Sequence, residues 1–129
     1  MRKILCLDFD GVIHSYSSGW KGAAITPDPP VPGALKFIAN AVQDFEVHIF
    51  SSRSNQVGGI SAMQQYLIAE FSNMEEAGTF WNIAKFVTET LKWPREKPPA
   101  FVGIDDRVLT FNGNWPSIQD LKNFKPWNK

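Results

Sequence analysis

Three short apolar runs, separated by stretches with helical spacing, constrain this chain more than any other feature. They occupy residues 3–7, 46–50 and 100–104. Each ends abruptly in polar residues: Asp8-Phe9-Asp10-Gly11, Ser51-Ser52-Arg53-Ser54-Asn55 and Asp105-Asp106-Arg107. A short apolar run bounded by turn residues reads as a buried strand, and a strand covered on both faces belongs to a parallel sheet. Between the runs, Leu35, Ile38 and Val42 follow Pro32-Gly33 in a helix expected to reach about Gln43. Ile60, Met63, Leu67 and Phe71 follow Gly58-Gly59, and Phe80, Ala84, Val87 and Leu91 stop before Trp93-Pro94. Each set forms an apolar stripe that can lie on a sheet. Strands alternating with helices predict an α/β protein with a mainly parallel sheet.

The remaining segments fit around this frame. Residues 14–31 are polar, rich in Ser, Gly and Pro, and read as a surface excursion beside the first pair of acids. Residues 72–78 read as a loop. The double proline of Lys97-Pro98-Pro99 forces an extended approach to the third strand. Residues 108–111 suggest a further short strand before the Asn112-Gly113-Asn114 turn. Ser117 with Asp120 resembles the start of a last short helix, with Ile118 and Leu121 facing inward.

A chain of 129 residues suffices for one domain, expected to span 1–129. Lys plus Arg equals Asp plus Glu, so the formal net charge is zero, which argues against attachment to nucleic acid by bulk charge. Cys6 is the single cysteine; it reads as a buried structural thiol rather than a nucleophile, since nothing near it in sequence would lower its pKa. No run of about 18 apolar residues is present, and the start lacks the longer apolar region of a signal peptide. The expectation is a cytoplasmic protein with no membrane partner; the oligomeric state is left open.

In parallel α/β sheets, ligands sit outside the carboxyl ends of the strands. The first ending offers Asp8 and Asp10, which alternate along the strand and can lean to one side, with Gly11 allowing the turn. The second offers hydroxyls and an arginine, a cradle for an anion, in Ser51, Ser52 and Arg53. The third offers Asp105 and Asp106. An isolated Asp-x-Asp-Gly is a common turn, and an isolated Ser-Ser-Arg a polar loop. Together on one rim, they suit phosphoryl transfer. A carboxylate about 4 Å from one phosphate charge is repelled by roughly 4 kcal/mol at an effective dielectric near 20. Carboxylates holding a divalent cation, with a lysine and Arg53 opposite, would offset that repulsion. Oxygen ligands suit Mg²⁺.

These motifs resemble those of haloacid dehalogenase (HAD) superfamily phosphatases. Leu7-Asp8-Phe9-Asp10-Gly11 resembles the family's first motif, Ile49-Phe50-Ser51 its second, and Val102-Gly103-Ile104-Asp105-Asp106 its fourth. The resemblance implies a Rossmann-like, three-layer α/β/α fold of HAD-like type, with no cap domain because neither insertion site is long enough. It implies Asp8 as the nucleophile forming an aspartyl-phosphate, Asp10 as general acid/base, and Ser51 as a phosphate ligand. It implies Mg²⁺ held by Asp8, the Asp10 main-chain carbonyl, and Asp105 and/or Asp106. For the third-motif lysine, Lys97 is the choice, with Lys92 and Lys85 open. Capless members tend to act on large or partner-presented substrates. Residues 51–53 and 104–107 are also similar to the 3′-phosphatase domain of polynucleotide kinase-phosphatases. In that comparison Arg53 would contact phosphate, and a phosphorylated nucleic-acid end is a possible substrate; Arg107 is expected to brace the acidic pair. No kinase P-loop is present.

Other readings stay open. One is a phosphatase of small nucleotides or sugars. Another is a receiver-like domain storing phosphate on an aspartate, although such domains carry paired acids after strand one and the phosphorylated aspartate after strand three. A third is a silent binding module. Trp20, Trp115 and Trp127, near Lys21, Lys125 and Lys129, could stack bases, or could pin loops and the tail to the core. His48 is expected to pack on the sheet, and His14 to lie close enough to the site to touch a substrate.

Overall fold

The computed structural model describes residues 2–74 and 82–129. Strand β1 spans Lys3–Leu7, helix α1 Ala34–Ala41, β2 Phe45–Ile49 and α2 Gly59–Ser72. Helix α3, Ile83–Lys85, runs into a π-helical turn, Phe86–Thr90, and is followed by β3, Val102–Ile104, and α4, Ile118–Lys122. The three strands form one open sheet in the order β2-β1-β3, and both pairings are parallel. The α/β expectation therefore holds.

Register sets which residues this sheet brings together at its rim. Leu7 lies beside Ile49 on one side and Ile104 on the other, so the strands end level. The ladder continues one step: the Asp8 amide donates to the Ile104 carbonyl and the Phe50 amide to the Leu7 carbonyl, both at 3.0 Å. Asp8, Phe50 and Asp105 thus leave the sheet on the same rung, with Ser51 one residue further along. Beyond β2 the sheet gains a single parallel bridge between His48 and Lys92.

The buried strand residues are Leu5 and Leu7 of β1 and Val47 and Ile49 of β2, registered in pairs on one face. They share a core with Ile38 of α1, Met63, Leu67 and Phe71 of α2, and Val87 and Leu91. Full burial of one such side chain contributes about 1.5–3 kcal/mol. On the opposite face, Ile4, Cys6 and His48 are half-buried. The strands were expected to be covered on both faces. The difference follows from chain length: residues 93–101 carry the chain from the Lys92 bridge to β3 and include three prolines, so no helix forms there.

The C-terminal third departs most from expectation. Strand β3 is shorter than the apolar run, although the Phe101 amide still donates to the Ile4 carbonyl at 2.9 Å. Residues 108–111, expected as a strand, pair with no strand among the described residues, and Val108, Leu109 and Phe111 are exposed. Ser117 does cap α4, its hydroxyl accepting from the Asp120 amide at 3.0 Å. Ile118 and Leu121, expected to face inward, are 72% and 45% exposed. A cap is a local bond, whereas an inward face needs a neighbouring element. Phe80, at the start of the third helical pattern, lies outside the described residues. Leu91, at its end, is buried but already extended.

Helix α2 begins against the loop that follows β2. A Cβ on Gly59 would lie 1.8 Å from the Arg53 carbonyl oxygen, whereas one on Gly58, at φ 77°, would touch only Ala24 at 3.6 Å. Gly58→Ala meets backbone strain of roughly 1–2 kcal/mol, and Gly59→Ala meets a main-chain clash that must move the loop. Urea denaturation should therefore show the larger loss for Gly59→Ala; equal losses would contradict this packing.

Candidate metal and phosphate site

The exit from β1 is a tight turn in which the amides of Ile13 and His14 both donate to the Phe9 carbonyl at 2.9 Å. Gly11 stands in it at φ 81°, and a Cβ there would lie 2.1 Å from an Asp106 carboxylate oxygen. Glycine is required twice, for its backbone angle and for the space that Asp106 occupies. Asp8, Asp105 and Asp106 each present an oxygen, and the three lie within 4.8 Å of one another. The Phe9 amide donates to Asp8 Oδ1 at 2.8 Å, and the Arg107 amide to Asp105 Oδ1 at 2.8 Å. Arg107, expected to brace the acidic pair, thus reaches Asp105 through its backbone amide.

This crowding has an electrostatic signature. Burial pushes the Asp8 carboxyl up, the charge of Asp105 adds to it, and the Phe9 amide opposes it; Asp106 raises it further, to about 8. Three carboxyls that repel one another, all with oxygen donors, fit a hard divalent cation such as Mg²⁺. The same field raises the thiol of Cys6, first through burial and then through Asp8 and Asp105, and keeps it protonated.

Asp10 belongs to a different cluster. Arg53 Nε donates to its Oδ2 at 2.9 Å and Nη2 to its Oδ1 at 3.1 Å, while His14 Nδ1 lies 2.9 Å from Oδ1. Burial alone would raise this carboxyl, but the bonds from His14 and Arg53 outweigh it and hold it below the usual carboxylate range. Arg53 is fully buried, with its guanidinium on Asp10 and on loop carbonyls rather than open to the cleft. His14, expected within reach of a substrate, is also fully buried. Its ring is enclosed by stacking on Phe9 and by Tyr66.

Ser51 sits in a closed turn after β2. Its hydroxyl accepts from the Arg53 amide at 3.1 Å, and its own amide donates to Ser54 Oγ at 3.0 Å. The Ser51 oxygen accepts in that bond, so the hydroxyl keeps its proton for a further acceptor. Ser54, given no role from the sequence, is fully buried and locks this turn. Ser52 is exposed. Lys97 lines a cleft of about 850 Å³ together with Asp8, Asp105, Cys6 and Phe50. Lys92 instead donates to the Glu89 carbonyl at 2.8 Å, and Lys85 is exposed on α3. Of the three lysines, Lys97 is the one that lines the same cleft as Asp8.

The tryptophans divide. Trp127 Nε1 donates to the Gly11 carbonyl at 2.8 Å and pins the tail to the β1 turn. Trp20 lies over the Arg53 guanidinium at 4.8 Å, whereas Trp115 is 86% exposed, its ring tilted against Phe111. Among the described residues, no helix is long and apolar enough to cross a membrane. No family model, curated protein or solved structure matches the chain.

A carboxyl raised from 3.8 to about 8 makes the folded protein bind more protons than the unfolded chain between those values. Without divalent cation, the Asp8 contribution to stability is therefore full below about pH 4 and lost as pH rises through about 8. Mg²⁺ must displace the Asp8 proton at low pH, so its thermal stabilisation should be greater at pH 8.5 than at pH 6. Asp8→Asn should flatten both dependences in thermal melts; an unchanged pH profile in that variant would contradict the assignment.

Proposed function

We propose that this chain is a Mg²⁺-dependent phosphomonoesterase of the HAD-like, capless type, working through an aspartyl-phosphate on Asp8. The observation that carries the reading is the meeting of Asp8, Asp105 and Asp106 at the carboxyl rim of a parallel sheet. Lys97, which lines the same cleft as Asp8, and the buried hydroxyl of Ser51 one residue beyond the same rung support it. The finer three-layer arrangement belongs to this reading as well.

Mg²⁺, held by Asp8, Asp105 and Asp106 with the Asp10 main-chain carbonyl, would supply positive charge against the phosphate oxygens. The chain's own residues do the rest. Lys97 and Ser51 bind the phosphoryl oxygens and orient phosphorus towards Asp8. An Asp8 oxygen bonds to phosphorus, and the bond to the leaving oxygen breaks with its electron pair. Asp10 gives that oxygen a proton. Water then transfers a proton to the Asp10 carboxylate as its oxygen attacks phosphorus. The bond to Asp8 breaks, and inorganic phosphate leaves. The Asp10 carboxyl, held below the usual range by His14 and Arg53, releases that proton to solvent and takes one up again when the next ester binds.

The substrate class we favour is a large phosphorylated group, such as a polynucleotide 3′-phosphate end, because Lys97, Asp105 and Val108, which line the Asp8 cleft, are exposed. Hydrolysis of p-nitrophenyl phosphate should require Mg²⁺, and Asp8→Asn should lower it at least about 10³-fold while the protein stays folded. Comparison of kcat/KM across 3′-phosphorylated oligonucleotides, nucleotides, sugar phosphates and phosphopeptides should favour the oligonucleotides. Equal, poor turnover of all four would sink the nucleic-acid assignment, and activity surviving in Asp8→Asn would sink the nucleophile.

A further inference from the structure

Asp10 is fixed more completely than a turn residue needs, by two side chains with no exposed surface. Arg53 grips both Asp10 oxygens, at 2.9 and 3.1 Å, and its Nη1 donates to the carbonyls of Gly22, Ala23 and Ile25 at 2.9, 2.9 and 3.0 Å. Phe9 and Trp20 flank the guanidinium with ring centroids at 5.7 and 4.8 Å. His14 completes the grip. Its Nε2 accepts from the Asp28 amide at 3.0 Å, so the proton sits on Nδ1, which donates to Asp10 Oδ1 at 2.9 Å. Tyr66 in turn holds the Asp28 carbonyl at 2.8 Å.

We propose that Arg53 and His14 are positioning residues that aim the Asp10 carboxylate at the water of the second half-reaction, and that Arg53 ties this aim to the seat of the 22–25 loop. The inference rests on the phosphomonoesterase reading. Three convergent N–H donors leave the Asp10 side chain one orientation, where a solvated carboxylate on a turn would have several. A base displaced by about 1 Å can lose about 10²-fold in rate. The step served is the transfer of the water proton to Asp10 as the oxygen bonds to phosphorus and the Asp8–phosphorus bond breaks. Lysine at 53 keeps the charge but lacks the planar fork. Asparagine at 14 restores an N–H near the place of Nδ1, yet leaves the Asp28 amide without its acceptor.

Rapid-quench kinetics with p-nitrophenyl phosphate and Mg²⁺ separate the half-reactions, since nitrophenolate leaves without a proton. In Arg53→Lys and His14→Ala, the pre-steady-state release should stay within about 5-fold of wild type, while steady-state turnover falls about 10²-fold and phosphoenzyme accumulates. His14→Asn should recover most of that turnover while its melting temperature stays lowered. Proportional loss of both rates, or His14→Asn no better than His14→Ala, would overturn the inference while leaving the phosphatase intact. Should Arg53→Lys fail to fold, the two His14 variants decide alone. Wild-type protein inert towards the ester would overturn the phosphomonoesterase reading and this inference with it.

Discussion

Level pairing of β1 with both neighbours is the constraint on which the site depends. Side chains on a strand alternate, so a slip of one residue between β1 and β3 would turn Ile104 from the Leu7 face and carry Asp105 away from Asp8. The Asp8–Ile104 and Phe50–Leu7 backbone bonds extend the ladder past the last strand residues and hold the three endings in step. Parallel pairing thus brings together acids almost a hundred positions apart in the sequence. Gly11 finishes the arrangement by leaving room for Asp106.

The site divides its charges between two neighbouring clusters. Around Asp8, negative groups meet with little to neutralise them, and the carboxyl is pushed up. Around Asp10, a buried guanidinium and an imidazole donor hold the charge down. Removing one partner from a buried pair of the second kind typically costs about 3–5 kcal/mol, because the other charge stays stranded. The first cluster groups three acids that could hold a cation, whereas the second has its charges paired. On the proposed phosphatase reading, holding the metal and moving the proton would fall to separate clusters.

Much of the framework is legible in the sequence because it depends on short-range pattern. Apolar runs marked the strands within a residue or two, and helical spacing identified the buried Met63, Leu67 and Phe71 of α2. The acids at the strand ends could be grouped because parallel topology places such endings together. The role of Arg53 was not legible, since its partners are Asp10 and a loop about 30 residues upstream, joined only by folding. His14 sits four residues after Asp10, a spacing that hints at the contact, but its burial depends on Tyr66 of α2. Ile118 and Leu121 misled because apolar spacing reports which face could be buried, not whether anything lies against it.

The claim at the centre of this account is that Asp8 accepts the phosphoryl group. It can be tested by acid-quenching the protein during turnover with Mg²⁺, reducing any acyl-phosphate with borohydride, and sequencing the peptides. The account predicts homoserine in place of Asp8, with Asp10, Asp105 and Asp106 unchanged. Modification at one of those three, or turnover with no residue modified, would contradict it.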